Sequence, residues 1–196
     1  MKIVLASRNQ DKYKEIKDIL KHTKVELVSA EEFNVPEIIE DGATYFENAK
    51  KKAFYTSTHT QLPAISDDTG LEVFALGKTP GVYSSRYAGK NASYSDNVKK
   101  LLREMQGKTD RRARFVCVCV LCFPDGTFYQ TRGEIRGIIT KEPIGRGGFG
   151  YDPVFYIPEL KKTFAELSLE EKNKISHRAK AFKKMAQLIE KLKPEK

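Results

Sequence analysis

The stretch RFVCVCVLCF (Arg114 to Phe123), followed by PDG (Pro124 to Gly126) and TFYQTRGEIRGII (Thr127 to Ile139), decides the fold of this chain. The short middle segment is a turn, and its glycine supplies the positive φ that a tight reversal needs. The two flanking segments therefore predict a long β-hairpin.

Helices and short strands are interspersed on both sides of this hairpin. Lys2 to Ala6 predicts a strand, and Lys12 to Lys21 predicts a helix with one apolar face. Further elements are predicted as a helix begun by the capping-box spacing Thr44 to Glu47, strands at Ala64 to Ser66 and Leu71 to Leu76, a helix that starts at Ser93 to Asp96 and ends near Gly107, and a strand at Val154 to Ile157. A last helix is predicted from His177 onward, capped by Ser176, with a buried apolar stripe of Phe182, Met185, Ile189 and Leu192. We therefore predict an α/β fold in which helices cover a mixed β-sheet.

Length and composition favour one globular domain, 1-196. The chain has 196 residues, of which 40% are apolar, so it can bury a sizeable core and fold by itself. Its longest apolar run, Phe115 to Phe123, is less than half of the roughly 20 residues that a membrane-spanning helix needs. We expect neither a membrane span nor a signal peptide.

Three cysteines, Cys117, Cys119 and Cys122, are crowded inside the apolar run. An odd, clustered set is no disulfide framework, so we expect a cytoplasmic protein. Strand alternation would place the first two cysteines on one face and the third on the other, with no histidine nearby. We predict three buried apolar residues, not a metal site.

The charge balance points to an anionic partner. Lysine and arginine number 35 against 26 acidic residues, a net charge of +9. Such a field attracts nucleic acid, anionic membranes or phosphate-rich small molecules, and charge alone does not choose among them. The lysine clusters are interpreted as solvated surface; they are Lys50-Lys51-Lys52, Lys161-Lys162 and Lys183-Lys184.

The loop from Ser7 to Lys12 joins the first strand to the first helix. Free backbone N–H groups and the positive helix end make such a junction an anion site, and Ser7, Asn9 and Lys12 can add donors. The alternative is an ordinary cap in which Ser or Asn satisfies the first helical turn.

Carboxylates occur in two adjacent pairs, Glu40-Asp41 and Asp67-Asp68. Mg²⁺ prefers hard oxygen ligands and typically sits between one or two carboxylates and substrate phosphates. The alternatives are an acidic loop for the first pair and, for the second, a turn that starts the next strand. Glu47 is a secondary candidate, because its capping-box position already explains it.

Gly145 to Gly150 matches the pattern G-x-G-x-x-G. That pattern binds dinucleotides only when it follows a strand and opens a helix, and Pro153 disfavours helical geometry at Asp152. We therefore reject a Rossmann site, and no Walker A or kinase motif set is present. The glycines admit close approach of a ligand, and Phe149 can stack on a base; the alternative is a long surface loop.

The segment Lys172 to Arg178 brings several donors to the start of the last helix, next to its positive end. Cations are unfavourable there, so they indicate a nearby anion, with a solvated surface as the alternative. Together the four features predict a polyphosphate site with an anion loop, Mg²⁺ carboxylates, an aromatic stacker and a basic clamp.

As a set, these motifs resemble the inosine triphosphate pyrophosphatases, which act on noncanonical purine nucleoside triphosphates. The matching blocks are LASRNQDKYKEI (Leu5 to Ile16), EDGATYFENAKKKA (Glu40 to Ala53), SDDTGLEVFALGKTPGVYSSRYAG (Ser66 to Gly89), GRGGFGYDPVF (Gly145 to Phe155) and EKNKISHRAKA (Glu171 to Ala181). The resemblance implies an elongated mixed sheet in two lobes, a nucleotide in the central cleft, and a homodimer.

The resemblance also implies roles for individual residues. Glu40 and Asp68 would bind Mg²⁺, and Asp68 would accept the proton of the attacking water. Thr69 stands where many family members have Ser, which keeps the hydroxyl. Substrate contacts would come from Ser7, Arg8, Asn9, Gln10, Asp11, Lys12, Thr69, Phe149, Gly150, Tyr151, Asp152, Lys172, His177 and Arg178.

The expected reaction is attack by water near the α-phosphorus of ITP, dITP or XTP, giving the nucleoside monophosphate and pyrophosphate. One alternative is a nucleic-acid-binding module that uses the basic surface, although zinc-finger spacing and the aromatic strand motif of RNA readers are absent from the sequence. The other is a pyrophosphatase of similar fold for pyrimidine or modified nucleotides. We expect no nucleic-acid or membrane partner.

Overall fold

The computed structural model describes residues 1–192, which form eight strands and five α-helices. The strands are β1 (Lys2–Leu5), β2 (Glu26–Ser29), β3 (Ala64–Val73), β4 (Thr79–Pro80), β5 (Arg112–Cys122), β6 (Phe128–Ile139), β7 (Phe155–Ile157) and β8 (Lys162–Thr163). The helices are α1 (Gln10–Leu20), α2 (Tyr45–Thr60), α3 (Tyr94–Glu104), α4 (Leu169–Ile175) and α5 (His177–Lys191).

The strands form one mixed sheet in the order β2-β1-β3-β5-β6-β7-β8, with β4 paired to β3. Strand β1 is parallel to both β2 and β3. The β3–β4, β6–β7 and β7–β8 pairs are antiparallel. The predicted α/β class with a mixed sheet and flanking helices is confirmed.

The predicted hairpin is strands β5 and β6. Gly126 adopts a φ of +90° in the connecting turn, and the Phe123 amide donates to the Thr127 carbonyl at 2.8 Å. All three cysteines are buried, and they form no disulfide. Cys117 and Cys119 pack in one apolar cluster and Cys122 in another, as strand alternation predicts.

The two strands predicted at Ala64 to Ser66 and Leu71 to Leu76 are one strand, β3, which runs unbroken from Ala64 to Val73 and is followed by a 3-10 turn at Phe74–Leu76. The alternative of a turn at Asp67-Asp68 is therefore wrong. Their composition is typical of a turn, but burial and pairing with neighbouring strands override local preference. Polar groups on this strand find partners inside the protein; the Ser66 hydroxyl, for example, donates to the Ala49 carbonyl at 2.5 Å.

The end of the chain also differs in one respect from the prediction. The last helix, α5, begins at His177 as expected, but Lys172 lies on the separate short helix α4. The backbone between the two helices is extended at Ser176, with φ −64° and ψ 158°.

By its internal contacts the chain divides into two compact units. Unit 1 comprises Met1–Asp68, Cys117–Gly133 and the chain from His177 onward, and unit 2 comprises Thr69–Val116 and Glu134–Ser176. That the whole chain acts as one domain stays a prediction, and residues 193–196 of that range lie outside the described part. Within residues 1–192, no helix is long and apolar enough to cross a membrane.

Each unit has its own apolar core. The main core of unit 1 joins side chains of β1, β3, β5, α1 and α5: Ile3, Leu5, Ile16, Leu20, Ile65, Cys117, Cys119, Leu121, Phe182, Met185 and Ile189. The core of unit 2 includes Leu71, Val98, Leu101, Met105, Phe115, Phe155 and Phe164. The predicted apolar stripe of the last helix is therefore confirmed, with Leu192 packed against the first core as a partly buried residue.

Candidate active site

The segment from Ser7 to Lys12 is a capped helix start. The Asn9 side chain accepts the backbone N–H groups of Asp11 and Lys12 at 3.0 Å each, and the Ser7 hydroxyl accepts the Asn9 amide at 3.3 Å. The ordinary-cap interpretation therefore describes this segment. Its predicted contact with phosphates stays a prediction.

The side chains of this segment point in different directions. Arg8 is exposed and donates to the Val35 carbonyl at 2.9 Å, and Gln10 is exposed at the first helical position. Lys12 instead turns inward, and its ammonium lies 3.1 Å from Asp67 Oδ2. Of the predicted anion loop, Lys12 thus belongs to a charged cluster of unit 1 that also contains Glu40, Lys52, Asp67 and Asp68.

That cluster continues through helix α2. The Lys52 ammonium contacts the Glu40 carboxylate and also donates to the Asp67 carbonyl at 2.7 Å. The Asn48 amide donates to Asp68 Oδ2 at 3.0 Å. Unit 1 therefore brings the predicted metal ligands Glu40 and Asp68 together with two cations.

Burial and nearby charges shift the pKa values of Asp68 and Glu40 in opposite directions. Burial and the nearby charge of Glu40 raise the pKa of Asp68, against the opposing effects of Lys52, Lys12 and Asn48. Burial also opposes ionisation of Glu40, but Lys52 and Lys12 outweigh it and lower the pKa of that carboxyl. Two carboxyls with pKa values moved apart are typical of acid–base sites.

Lys12 is held in its charged form. Burial and the nearby Arg178 disfavour its charge, but Asp67, Glu40 and Asp68 together outweigh them and raise the pKa of Lys12. Lys12 is therefore suited to meet an anionic group while it remains protonated.

The carboxylates of Glu40 and Asp68 supply the hard oxygen atoms that a magnesium ion prefers. The charge of Glu40 acts on Asp68, so the two groups lie within electrostatic reach of each other. Residues 1–192 contain no group of three or more His, Cys, Asp or Glu side chains arranged to hold a metal. Two hard oxygen ligands suit Mg²⁺, which keeps several waters and takes further ligands from substrate phosphates.

Lys52 is a candidate that the sequence interpretation missed, because the run Lys50 to Lys52 was assigned to solvated surface. The side chain of Lys52 is 9% exposed, whereas that of Lys51 is 45% exposed and pairs with Asp41. The helical period could have revealed the burial of Lys52, since this residue follows Asn48 by four residues and lies on the same, buried face of α2. Glu47, in contrast, forms the predicted capping box with Thr44.

His177 and Arg178 open helix α5, and each is 2% exposed, so the solvated-surface interpretation is wrong for both. The Arg178 guanidinium donates to Glu15 Oε2 at 2.5 Å and to Asp67 Oδ2 at 3.2 Å. Burial opposes its charge, but the two carboxylates outweigh burial and raise the pKa of Arg178.

The glycine-dense loop and helix α4 lie in unit 2. Asp152 Oδ2 accepts the Phe149 amide at 2.9 Å and the Lys172 ammonium at 2.5 Å. That ammonium also lies 4.7 Å from the centroid of the Phe149 ring. The centroids of the Phe149 and Tyr94 rings are 5.9 Å apart. Lys172 is buried, so the solvated-surface interpretation is wrong for it as well.

The loop backbone is fitted closely to this ion pair. Gly148 has a φ of +68°, and a Cβ there would lie 2.2 Å from Asp152 Oδ2. Tyr151 is buried and donates to the Ser84 carbonyl at 2.8 Å, while Gly150 has a φ of +62°. A short 3-10 turn follows, Asp152–Val154, so the glycine pattern does not open an α-helix, as Pro153 predicts.

Thr69, the remaining predicted substrate residue, is half-buried in strand β3 directly after Asp68. Unit 1 thus brings together Lys12, Glu40, Asp68 and Arg178, and unit 2 brings together Phe149, Asp152 and Lys172. The substrate roles of these residues stay predictions.

Comparison with known proteins gives consistent likenesses along nearly the whole chain. The model of the Ham1 family matches residues 3–188. A protein named dITP/XTP pyrophosphatase from Desulfotalea psychrophila is 52% identical, over 91% of this chain and 81% of that protein. A protein of the same name from Thermus thermophilus is 48% identical, over 93% of this chain and 89% of that protein.

A solved structure gives the same answer for the fold. The HAM1 protein from Coxiella burnetii superimposes with a TM-score of 0.90 at 41% identity, covering 97% of this chain and 99% of that one. The resemblance inferred from five sequence blocks is therefore confirmed over their whole span, and the chain belongs to the Ham1 family.

Proposed function

We propose that this protein is a nucleoside triphosphate pyrophosphatase that hydrolyses the noncanonical purine nucleotides ITP, dITP and XTP to the nucleoside monophosphate and pyrophosphate. The names of the relatives from Desulfotalea psychrophila and Thermus thermophilus support the reaction and the substrate class. The observation that carries the proposal is the cluster of Lys12, Glu40, Lys52 and Asp68 in unit 1.

This cluster has the parts that phosphoryl transfer needs. Asp68 would position the attacking water and accept its proton, because it is a buried carboxylate oriented by the Asn48 amide. Lys12, with the capped start of α1 around it, would neutralise charge on the phosphoryl oxygens.

Glu40 and Asp68 would hold the divalent ion, which we propose to be Mg²⁺. When bound, the ion stabilises the negative charge that develops on the phosphoryl oxygens. Lys52 would then keep Glu40 ionised and in place, since its ammonium contacts that carboxylate and lowers its pKa.

For the base, we infer that the Phe149 ring provides a stacking face and that His177 and Arg178 donate to the 6-keto oxygen of hypoxanthine or xanthine. Adenine carries an amino group at that position, and a donor facing a donor leaves buried polar groups unpaired, which rejects an analogue strongly. Guanine shares the keto group, so its exclusion depends on the contacts around position 2.

The assembly and location belong to the same proposal. A homodimer follows from the resemblance stated above. A cytoplasmic location fits three buried cysteines that form no disulfide, because such thiols suit a reducing compartment.

The test is an assay in which dITP, XTP, GTP and ATP are compared side by side with and without Mg²⁺, and pyrophosphate and orthophosphate are both quantified. We expect pyrophosphate from dITP and XTP, little product from GTP and ATP, and none after chelation. Orthophosphate as the primary product would contradict the reaction, and equal rates with all four bases would contradict the roles of Phe149, His177 and Arg178.

A further inference from the structure

Asp67 is a buried carboxylate to which neither the family resemblance nor the proposed function assigns a role. It is 1% exposed and lies in the middle of β3, next to Asp68. Side chains alternate along a strand, so the two aspartates point to opposite faces of the sheet. Asp68 faces Asn48 on helix α2, whereas Asp67 shares the face of Ile65 and meets helices α1 and α5.

One oxygen of Asp67 gathers two cations from these helices. Oδ2 lies 3.1 Å from the Lys12 ammonium and 3.2 Å from Arg178 Nη2. The Cys117 thiol lies 3.8 Å from the same oxygen. Arg178 is also held by Glu15 at 2.5 Å, so its guanidinium lies between two carboxylates.

The carboxylate therefore links the first turn of α1 to the first turn of α5 inside unit 1. Lysine and arginine side chains are long and have many rotamers, and a fixed buried anion selects one arrangement before any ligand arrives. Fixing donors in advance removes a reorganisation that would otherwise occur during binding or reaction.

We propose that Asp67 is a positioning residue that holds Lys12 and Arg178 together in the geometry needed for substrate. The proposal rests on the proposed function, in which Lys12 meets phosphates and Arg178 meets the base. In this proposal Asp67 does not touch the substrate and acts through these two side chains.

The test combines Asp67→Asn, which keeps the shape and removes the charge, with Lys12→Met and the double variant. Turnover of dITP is measured together with calorimetric binding of two probes, inorganic pyrophosphate and deoxyinosine monophosphate. We expect Asp67→Asn to lower kcat/KM about 10²-fold by misplacing both cations and to weaken binding of both probes. In the Lys12→Met background, the same substitution should weaken pyrophosphate binding far less, because its effect acts through Lys12.

The control is Asp18→Asn, an acid on helix α1 that pairs with Lys21 at 2.8 Å near the surface. It should leave kcat/KM and both affinities within twofold of the unsubstituted protein. Urea unfolding confirms that each variant is folded under assay conditions. A merely structural role for Asp67 would lower stability without changing the pattern of probe affinities.

Three results would overturn the proposal. The first is binding of both probes by Asp67→Asn within twofold of the unsubstituted protein. The second is tighter pyrophosphate binding, which loss of a negative charge alone would produce. The third is an equal effect of the substitution in the two backgrounds.

If Asp67→Asn does not fold, Asp67→Glu keeps the charge but moves the carboxylate by one methylene. A folded Asp67→Glu protein with reduced kcat/KM supports positioning, and unchanged kcat/KM overturns it. An unsubstituted protein that binds both probes but releases no pyrophosphate contradicts the proposed function alone, and the probe affinities still test Asp67. An unsubstituted protein that binds neither probe contradicts both.

Discussion

The Asn48 side-chain amide donates a hydrogen bond of 3.0 Å to Asp68 Oδ2 and so ties the proposed proton acceptor to helix α2. Asn48 is itself held, because its Oδ1 accepts the Gly42 amide at 2.7 Å. Since Asn48 is fully buried, this pair leaves Asp68 little rotational freedom. A base fixed in this way suits the orientation of a single water molecule.

Asp68→Asn should lower kcat about 10²–10⁴-fold, because the amide cannot accept the proton of the attacking water. Nucleotide binding should stay measurable, since the phosphate-facing cations remain. The measurement is pyrophosphate release together with calorimetric binding of dITP. Asp41→Asn is the matched control, because Asp41 is exposed and pairs with Lys51. Unchanged turnover in Asp68→Asn would refute the assigned role.

The elements of this fold were largely readable from local sequence patterns. The hairpin turn at Gly126, the helix starts at Thr44 and Ser93 and the apolar stripe of α5 depend on neighbours a few residues away, so their patterns predict them correctly. The short strands β2, β4 and β8 and helix α4 were not predicted, and β3 was predicted as two separate strands. Asp67 to Gly70 have the composition of a turn, and only pairing with distant strands makes them extended.

Sequence analysis found the candidate site residues whose type indicates their chemistry. It missed those that join the site only because the fold buries them. The adjacent carboxylate pairs Glu40-Asp41 and Asp67-Asp68 stood out, and the family resemblance selected Glu40 and Asp68 from them. Lys52 did not stand out, because a run of three lysines resembles surface until the buried face of α2 is known. The contact of Arg178 with Asp67 joins residues 111 positions apart, and no local pattern contains it.

Lys52→Met should abolish most turnover, whereas Lys51→Met should not. The Lys52 ammonium contacts Glu40 and holds it in place, and because the Glu40 side chain is 29% exposed, removing Lys52 should cost less than the about 3–5 kcal/mol of a fully buried pair. The exposed Lys51–Asp41 pair contributes about 0–1 kcal/mol. Urea unfolding and pyrophosphate release from dITP check both effects, and equal activity of the two variants would contradict the role given to Lys52.

Lys172→Met should weaken binding of deoxyinosine monophosphate without weakening binding of inorganic pyrophosphate. Its ammonium pairs with Asp152 and lies over the Phe149 ring, the proposed stacking face, so its removal disturbs contacts to the base. Because the side chains of this pair are 5% and 4% exposed, the loss of stability should be about 3–5 kcal/mol.

Lys174→Met is the control for Lys172→Met on the same helix. Lys174 pairs with Glu170, and the two side chains are 65% and 74% exposed, so a change within about 1 kcal/mol is expected. Calorimetry with the two ligands and urea unfolding give both readouts. If Lys172→Met weakened both ligands equally, its effect would not be specific to the base.

Gly148→Ala should be more damaging than Gly126→Ala. Both glycines have positive φ, so alanine at either position costs about 1–2 kcal/mol in backbone strain. Only at Gly148 would the added Cβ also meet Asp152 Oδ2, at 2.2 Å, and push it away from Lys172. Urea unfolding of the two variants measures the difference, and equal losses of stability would contradict the close fit of the loop around Asp152.

The free energy of unfolding should fall at alkaline pH because of the buried thiol of Cys122. Burial raises the pKa of its thiol to about 11, although the nearby Lys50 partly opposes this. In the unfolded chain a thiol titrates near pH 8.5, roughly its ordinary value. The folded protein therefore holds more protons than the unfolded chain in this range, so the free energy of unfolding must decrease as pH rises.

This contribution is fully present below about pH 8.5, the unfolded value, and is lost as pH rises toward the folded pKa of about 11. The measurement is urea unfolding of the protein and of Cys122→Ala at several pH values from neutral to alkaline. Other titrating groups affect both proteins alike, so the stability advantage of the unsubstituted protein should shrink over this window. An advantage that stays constant with pH would show that the buried thiol titrates as it does in the unfolded chain.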